Sequence, residues 1–351
     1  MENLIKKFES KNGNRIFYLD QLRALAIIGV IGIHVSPYFL DSLTGASFLF
    51  ISEFAIPIFL MLSGVLLLNK EYSISEFLKK RYPRIIIPFL FWGCVFVIFA
   101  ILFQNMSFHF SSLETGMLFI GNMFLGIQGY LPHFWYVWLI LSVYLFFPII
   151  NKWIKNSSFS EIRYFLFIWF ITSIFATFDF PYYYIDLRYF AGSIGFVILG
   201  YYLAKDNNKI IGNIFLWSLL FLISTIVRVV CYDLSIGTNH FTIYSTLSVI
   251  QAASFFLMIK NFNDNKLFTK VSSFLKNGVF GSLTVLLSKY SYGIYLVHVL
   301  FILSFKILID FTNKSAIIWI PFLIIVTLLF SLGFLIILNK IPILNKITGV
   351  H

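Results

Sequence analysis

Long apolar runs separated by short polar stretches set the pattern of this chain. Runs of about 17–25 residues match what an α-helix needs to cross a bilayer core. They fall near 17–39, 48–69, 85–104, 134–150, 163–180, 187–204, 210–231, 241–260, 288–310 and 316–338. The pattern predicts an all-α polytopic membrane protein, a single integral membrane domain over residues 1–351 with about ten transmembrane helices. One further apolar run, GMLFIGNMFLGIQ at 116–128, is too short to span and is placed as a re-entrant or interfacial element in an outer loop, 105–133. The stretch 261–287 carries lysines and turns weakly amphipathic through FLKNGVFGSLTVLL, which predicts a segment on the membrane surface.

Composition agrees with the pattern: hydrophobic residues make up 59% and charged residues 12%, and the 44 phenylalanines exceed what one soluble core can bury. A net charge of +11 would suit nucleic acid, but the lysines and arginines sit in short loops between apolar runs. No nucleic-acid partner is expected. With the N-terminus in the cytoplasm, the inner loops collect Lys70, Lys79, Lys80, Arg81 and Arg84, then Lys152, Lys155 and Arg163. Lys205, Lys209, the lysines between Lys260 and Lys289, Lys340 and Lys346 follow on the same side. The outer loops hold Arg188 and Lys314, with Arg228 near an outer end. This positive-inside asymmetry places both termini in the cytoplasm. Asp20 and Arg23 interrupt the first run and no small-residue cleavage site follows it, so it is expected to be a retained span rather than a signal peptide. Cys94 and Cys231 form neither a disulfide framework nor a metal motif, and no metal site is expected.

The first run, YLDQLRALAIIGVIGIHVSPYF, carries the most informative chemistry. Ten residues separate Arg23 from His34. At about 100° per residue the two return to within about 20° of one helix face, about 16 Å apart along the axis. Asp20 lies on the same stripe one turn earlier. An arginine at the centre of a membrane helix costs about 2.5–3.5 kcal/mol on insertion scales, so such a stripe is a functional hypothesis by default. In the functional reading Arg23 binds an anion or holds Asp20, and His34 acts as general base. The plainer reading has Arg23 snorkelling to lipid phosphates and His34 bonding a neighbouring helix.

Other polar positions carry the same two readings. Arg81 and Arg84 in KKRYPRIIIPFLFW are ordinary inner-loop charge or a pair gripping a phosphate or carboxylate. His133 and Trp135 in LPHFWYVWLILSVYLFFPII belong to an aromatic belt or face an acceptor outside the membrane. His298 in SKYSYGIYLVHVLF packs against Tyr292, Tyr295 or another helix, or supports a site. Glu53 lies near an outer end, where water can hydrate it, and Ser63 is a polar position in an apolar run. No Gly-rich phosphate loop or serine-hydrolase elbow is present, so any site must be assembled between spans.

These motifs resemble the acyltransferase-3 family of integral membrane O-acyltransferases. The resemblance runs from FYLDQLRALAIIGVIGIH, with its Asp-x-x-Arg and a His ten residues on, through IPIFLMLSGVLL, the Arg81-x-x-Arg84 pair and HFWYVWLILSVYLFFPI. It continues in RYFAGSIGFVILGYYL and SYGIYLVH. The subgroup acting on bacterial-type surface polysaccharides is the nearest in appearance, without room for an appended esterase-like domain. The resemblance implies transfer of an acyl group, acetyl foremost, from cytoplasmic acetyl-CoA or another acyl-CoA to a hydroxyl of a cell-surface or lipid-linked saccharide. Acyl-CoA is then the donor substrate, with no tightly bound cofactor, in a multi-pass protein of the cell membrane surrounded by lipids and able to form homo-oligomers. Carried over, His34 is the base or acyl relay, Arg23 with Asp20 positions it or the donor, and Arg81 with Arg84 holds the anionic part of CoA. Ser63, Trp135 and Tyr292 are unranked candidates for stabilising the oxyanion, and with His133 and His298 for contacting substrate. Two rival classes remain at this stage: a transporter of a small solute or polysaccharide unit, and a non-catalytic scaffold. The absence of an internal repeat weighs against a transporter built from inverted repeats.

Overall fold

The computed structural model describes residues 15–102, 117–118, 121, 133–177, 192–206, 212–236, 243–311 and 314–350. The described residues are helical, with no strand among them. Among the described residues twelve α-helices follow in chain order: α1 Phe17–Val35, α2 Leu43–Ser52, α3 Ala55–Leu67, α4 Ile74–Leu102, α5 Trp135–Asn156, α6 Phe159–Thr177, α7 Gly192–Lys205, α8 Ile214–Asp233, α9 Thr246–Asp264, α10 Thr269–Lys276, α11 Gly278–Leu308 and α12 Ala316–Leu338. Seven segments among the described residues are long and apolar enough to cross a membrane: α1 with its 3₁₀ extension, α2 and α3 taken together, α4, α5, α8, α11 and α12. The expected element at 116–128 falls almost wholly outside the described residues, as do Arg188 and Lys209.

Proline and polar side chains set several boundaries. Pro37, which has no N–H and crowds the preceding turn, ends α1 in a 3₁₀ turn, Ser36–Phe39. The expected continuous span at 48–69 is instead a broken one that starts earlier, at Leu43, and is interrupted between Ser52 and Ala55. The cause is Pro57: it has no N–H to donate to the carbonyl of Glu53, and its ring crowds that carbonyl. Ser42 caps the N-terminus of α2 by accepting from Gly45 N at 3.0 Å. At the start of α6, Ser158 N donates to the Glu161 carboxylate at 2.6 Å, and Glu161 N donates back to Ser158 Oγ at 3.3 Å. Ser158 Oγ also donates to that carboxylate, at 2.8 Å, and the two bonds from Ser158 N and Oγ hold the Glu161 carboxyl below its usual range.

Two expected boundaries move. Helix α4 begins at Ile74 rather than near 85, so Arg81 and Arg84 stand on the helix itself and not in the loop before it. Helix α11 begins at Gly278 rather than 288, and the stretch before it, expected to be weakly amphipathic, holds the short amphipathic helix α10. In both cases the helix continues past the run that marked its expected start.

Helix α1 is the axle of the bundle. Leu22, Ala26, Ile27, Ile31 and Val35 are fully enclosed, and the helix packs against α3, α11 and α12. The tightest helix pair is α3 with α7. A Cβ on Gly64 would overlap the Val197 carbonyl, and one on Gly200 would overlap that of Met61. With no side chain between them the two backbones touch, the form of packing that membrane helices use in place of a hydrophobic driving force. The net effect is that α1, α3, α4, α5 and α11 enclose a space into which their polar residues face.

Candidate functional site

The enclosed space is a cavity of about 430 Å³. Its wall carries five basic residues, Arg23, Lys70, Arg81, Arg84 and Lys289, and no acidic one among the described residues. Ser63, Tyr136, Tyr144, Ser288, Tyr292 and Tyr295 add hydroxyls. Beyond it lies a pocket of about 20 Å³, room for about one water, lined by His34, His133, Trp135, Ile33 and Ile56. Phe59, Tyr136 and Tyr295 border both spaces. The site is therefore a basic chamber with a small space beside it, the two sharing three aromatic rings, and two histidines stand at the small one.

Helical spacing on α1 delivers Arg23 to the chamber and His34 to the tip, as the eleven-residue step requires. Asp20 behaves differently. It is buried, and Arg15 holds it through two hydrogen bonds, Nε to Oδ2 at 2.6 Å and Nη2 to Oδ1 at 2.9 Å. Ser288 Oγ donates to Asp20 Oδ1 at 2.6 Å, and Arg23 Nη1 reaches that serine oxygen at 3.4 Å. Arg23 thus makes no ion pair with Asp20. The carboxylate is neutralised by Arg15 behind the wall, and the Arg23 charge is left to the chamber. Arg81 and Arg84, three apart on α4, lie on adjacent turns and both border the chamber.

The three histidines come together from three elements. His34 and His298 lie edge to face with ring centroids 4.9 Å apart, and His133 sits 6.0 Å from His34 and 5.4 Å from His298. His34 Nδ1 lies 2.8 Å from the Val30 carbonyl and 3.3 Å from His298 Nε2. His133 is buried, with no hydrogen bond of normal geometry to either ring nitrogen among the described residues. Its backbone carbonyl accepts from the Tyr295 hydroxyl. His298 is fully buried behind His34 and borders neither space.

The candidate oxyanion donors separate. Ser63 Oγ donates to the Phe59 carbonyl at 3.0 Å, and the Tyr292 hydroxyl donates to the Ile85 carbonyl at 2.8 Å. Both protons are committed to backbone. Trp135 borders the tip with its indole N–H unbonded among the described residues. Tyr136, which reads in sequence as part of an aromatic belt, stands at the neck of the site. The polar stripe Ser288, Ser291, Tyr295 and His298 at steps of three and four along α11 is the signal that marks this helix as a wall. The segment after α12 closes another side: Trp92 Nε1 donates to the Thr348 carbonyl at 3.3 Å, and Gly349, at φ +82°, borders the chamber.

A second polar cluster lies at the break between α2 and α3. Arg228 is fully buried, pairs with Glu53, and donates from Nη1 to Gln251 Oε1 at 3.0 Å. Gln251 Nε2 in turn donates to the Phe50 carbonyl at 2.7 Å and to Thr225 Oγ1 at 2.8 Å. Glu53 thus has an arginine partner.

A family model described as an acyltransferase domain, that of the acyltransferase-3 family, matches residues 16–336. The chain belongs to the acyltransferase-3 family. The match takes in α1 through nearly all of α12, so every helix around the chamber lies inside it. The protein is a membrane acyltransferase. Searches of curated proteins and of solved structures return no significant match.

Proposed function

We propose that this acyltransferase moves an acyl group, acetyl foremost, from cytoplasmic acyl-CoA to a hydroxyl of a cell-surface or lipid-linked saccharide, in a cell-membrane protein of ten spans with both termini inside. The observation that carries the reading is the basic chamber with His34 at the small space beside it. Five cations facing one space, with no acidic wall residue among the described residues, suit the phosphates of CoA, and Arg81 and Arg84 can each present a guanidinium fork to them. The step from Arg23 to His34, about 16 Å along α1, is comparable to the reach of an extended pantetheine arm. The thioester then lies at the neck formed by Phe59, Tyr136 and Tyr295.

At the tip, His34 Nε2 takes the proton of the acceptor hydroxyl as its oxygen attacks the thioester carbonyl. The new C–O bond forms, the C–S bond breaks, and the proton passes from His34 to the departing CoA sulfur. Trp135 and Tyr136, whose donors meet no backbone carbonyl among the described residues, stabilise the oxyanion. His133 faces the acceptor side of the tip. His34→Ala is expected to abolish acyl transfer from labelled acetyl-CoA to membrane-derived acceptors by purified protein in detergent, with the protein still inserting and accumulating. Undiminished transfer by this variant would overturn the reading, as would solute flux through proteoliposomes without any acyl transfer.

A further inference from the structure

The hydrogen bonds of His34 and His298 assign their tautomers. Backbone carbonyls only accept, so a ring nitrogen facing one must carry the proton. His298 Nδ1 faces two, at 2.8 Å from Tyr295 O and 3.1 Å from Ile294 O. It is therefore the protonated nitrogen, and Nε2 of a neutral His298 is a lone-pair acceptor. That acceptor lies 3.3 Å from His34 Nδ1. His34 Nδ1 also faces the Val30 carbonyl at 2.8 Å, so it too carries a proton, shared between Val30 O and His298 Nε2. The remaining nitrogen of His34, Nε2, is then a bare lone pair on a ring that borders the tip pocket.

We infer that His298 is a positioning residue that holds His34 with Nδ1 protonated and Nε2 free to accept the proton of the acceptor hydroxyl. The inference rests on the proposed role of His34 as base. Of the roles the sequence offers His298, packing, support of a site or contact with substrate, it takes support, from a place behind the reacting group. The arrangement parallels a hydrolase triad, in which a carboxylate orients the histidine. Here a neutral imidazole supplies the acceptor, and no second ion has to be buried beside the imidazolium that forms. When His34 gains its proton, the hydrogen bond to His298 becomes charge-assisted and strengthens, so its benefit falls on the transition state rather than on donor binding.

Two substitutions at His298 test this. His298→Phe keeps a ring of similar size and removes the acceptor, whereas His298→Gln keeps an acceptor near the position of Nε2. The Phe variant is expected to lose about tenfold to hundredfold in kcat, the value of a hydrogen bond to a charged group, with KM for acyl-CoA unchanged within about twofold. The Gln variant is expected to recover most of that loss. Wild-type kcat in His298→Phe would overturn the inference, and so would equal kcat losses in the two variants. So would a loss confined to acyl-CoA KM or to the thermal unfolding midpoint. His34→Ala, measured beside them, separates the two ideas. Transfer that survives it removes the base itself, whereas an inactive His34→Ala beside a fully active His298→Phe removes only the positioning role.

Discussion

At the scale of single residues, the charge of Arg23 and that of Asp20 have different destinations although the two stand one turn apart. The carboxylate is satisfied by Arg15 and Ser288, and the Arg23 guanidinium turns to the chamber beside Arg81 and Arg84. For the α4 pair this predicts a binding effect and not a chemical one. Arg81→Ala is expected to raise KM for acyl-CoA about tenfold, the loss of one charge-assisted contact, with kcat little changed. Steady-state kinetics at varied acyl-CoA checks it, and an unaltered KM would count against contact with the donor. The side chains that could carry chemistry were legible in sequence because burying them in apolar helices is costly. Their partners were not, since Ser288 lies 268 residues from Asp20 and His298 lies 264 from His34.

At the scale of elements, most apolar runs became helices, and the differences follow from what a run of hydrophobic residues can report. Helix α4 extends well past its apolar stretch, because a helix that leaves the lipid keeps its hydrogen bonds while its side chains turn polar, and α11 takes in the weakly amphipathic stretch before residue 288. The break between α2 and α3 is a proline effect that the hydropathy of the run conceals. The packing of α3 on α7 is the element contact most sensitive to a single methyl. Gly64→Ala would force a Cβ into the Val197 carbonyl and push the two helices apart. It is expected to cost about 1–3 kcal/mol, as overpacking does, read as a lowered midpoint of thermal unfolding in detergent. An unchanged midpoint would show that the two backbones can separate freely.

At the scale of the whole molecule, polar clusters fasten segments that are remote in sequence. Arg228 on α8 pairs with Glu53 at the broken span, 175 residues away, and Gln251 on α9 ties the same cluster to the backbone of α2. Removing one partner of a buried pair costs more than removing both, because the remaining charge has no counter-ion. Arg228→Met is expected to destabilise the protein by about 3–5 kcal/mol, and Arg228→Met with Glu53→Gln by clearly less. Unfolding of both variants in the same detergent measures the difference. Equal losses would show that the charge pair is not what holds the break in place.

The sequence by itself determined that the chain is helical and apolar enough for a membrane, and that Arg23 and His34 share one helical stripe. Those properties depend on hydropathy and a helical repeat, both local along the chain. Tertiary structure decided which ionised groups neutralise one another, where the basic residues converge, and that His298 stands behind His34 rather than beside the substrate space. It also decided which hydroxyls are already committed to backbone carbonyls. These outcomes depend on distances between separate helices, and no periodicity within a single helix contains them.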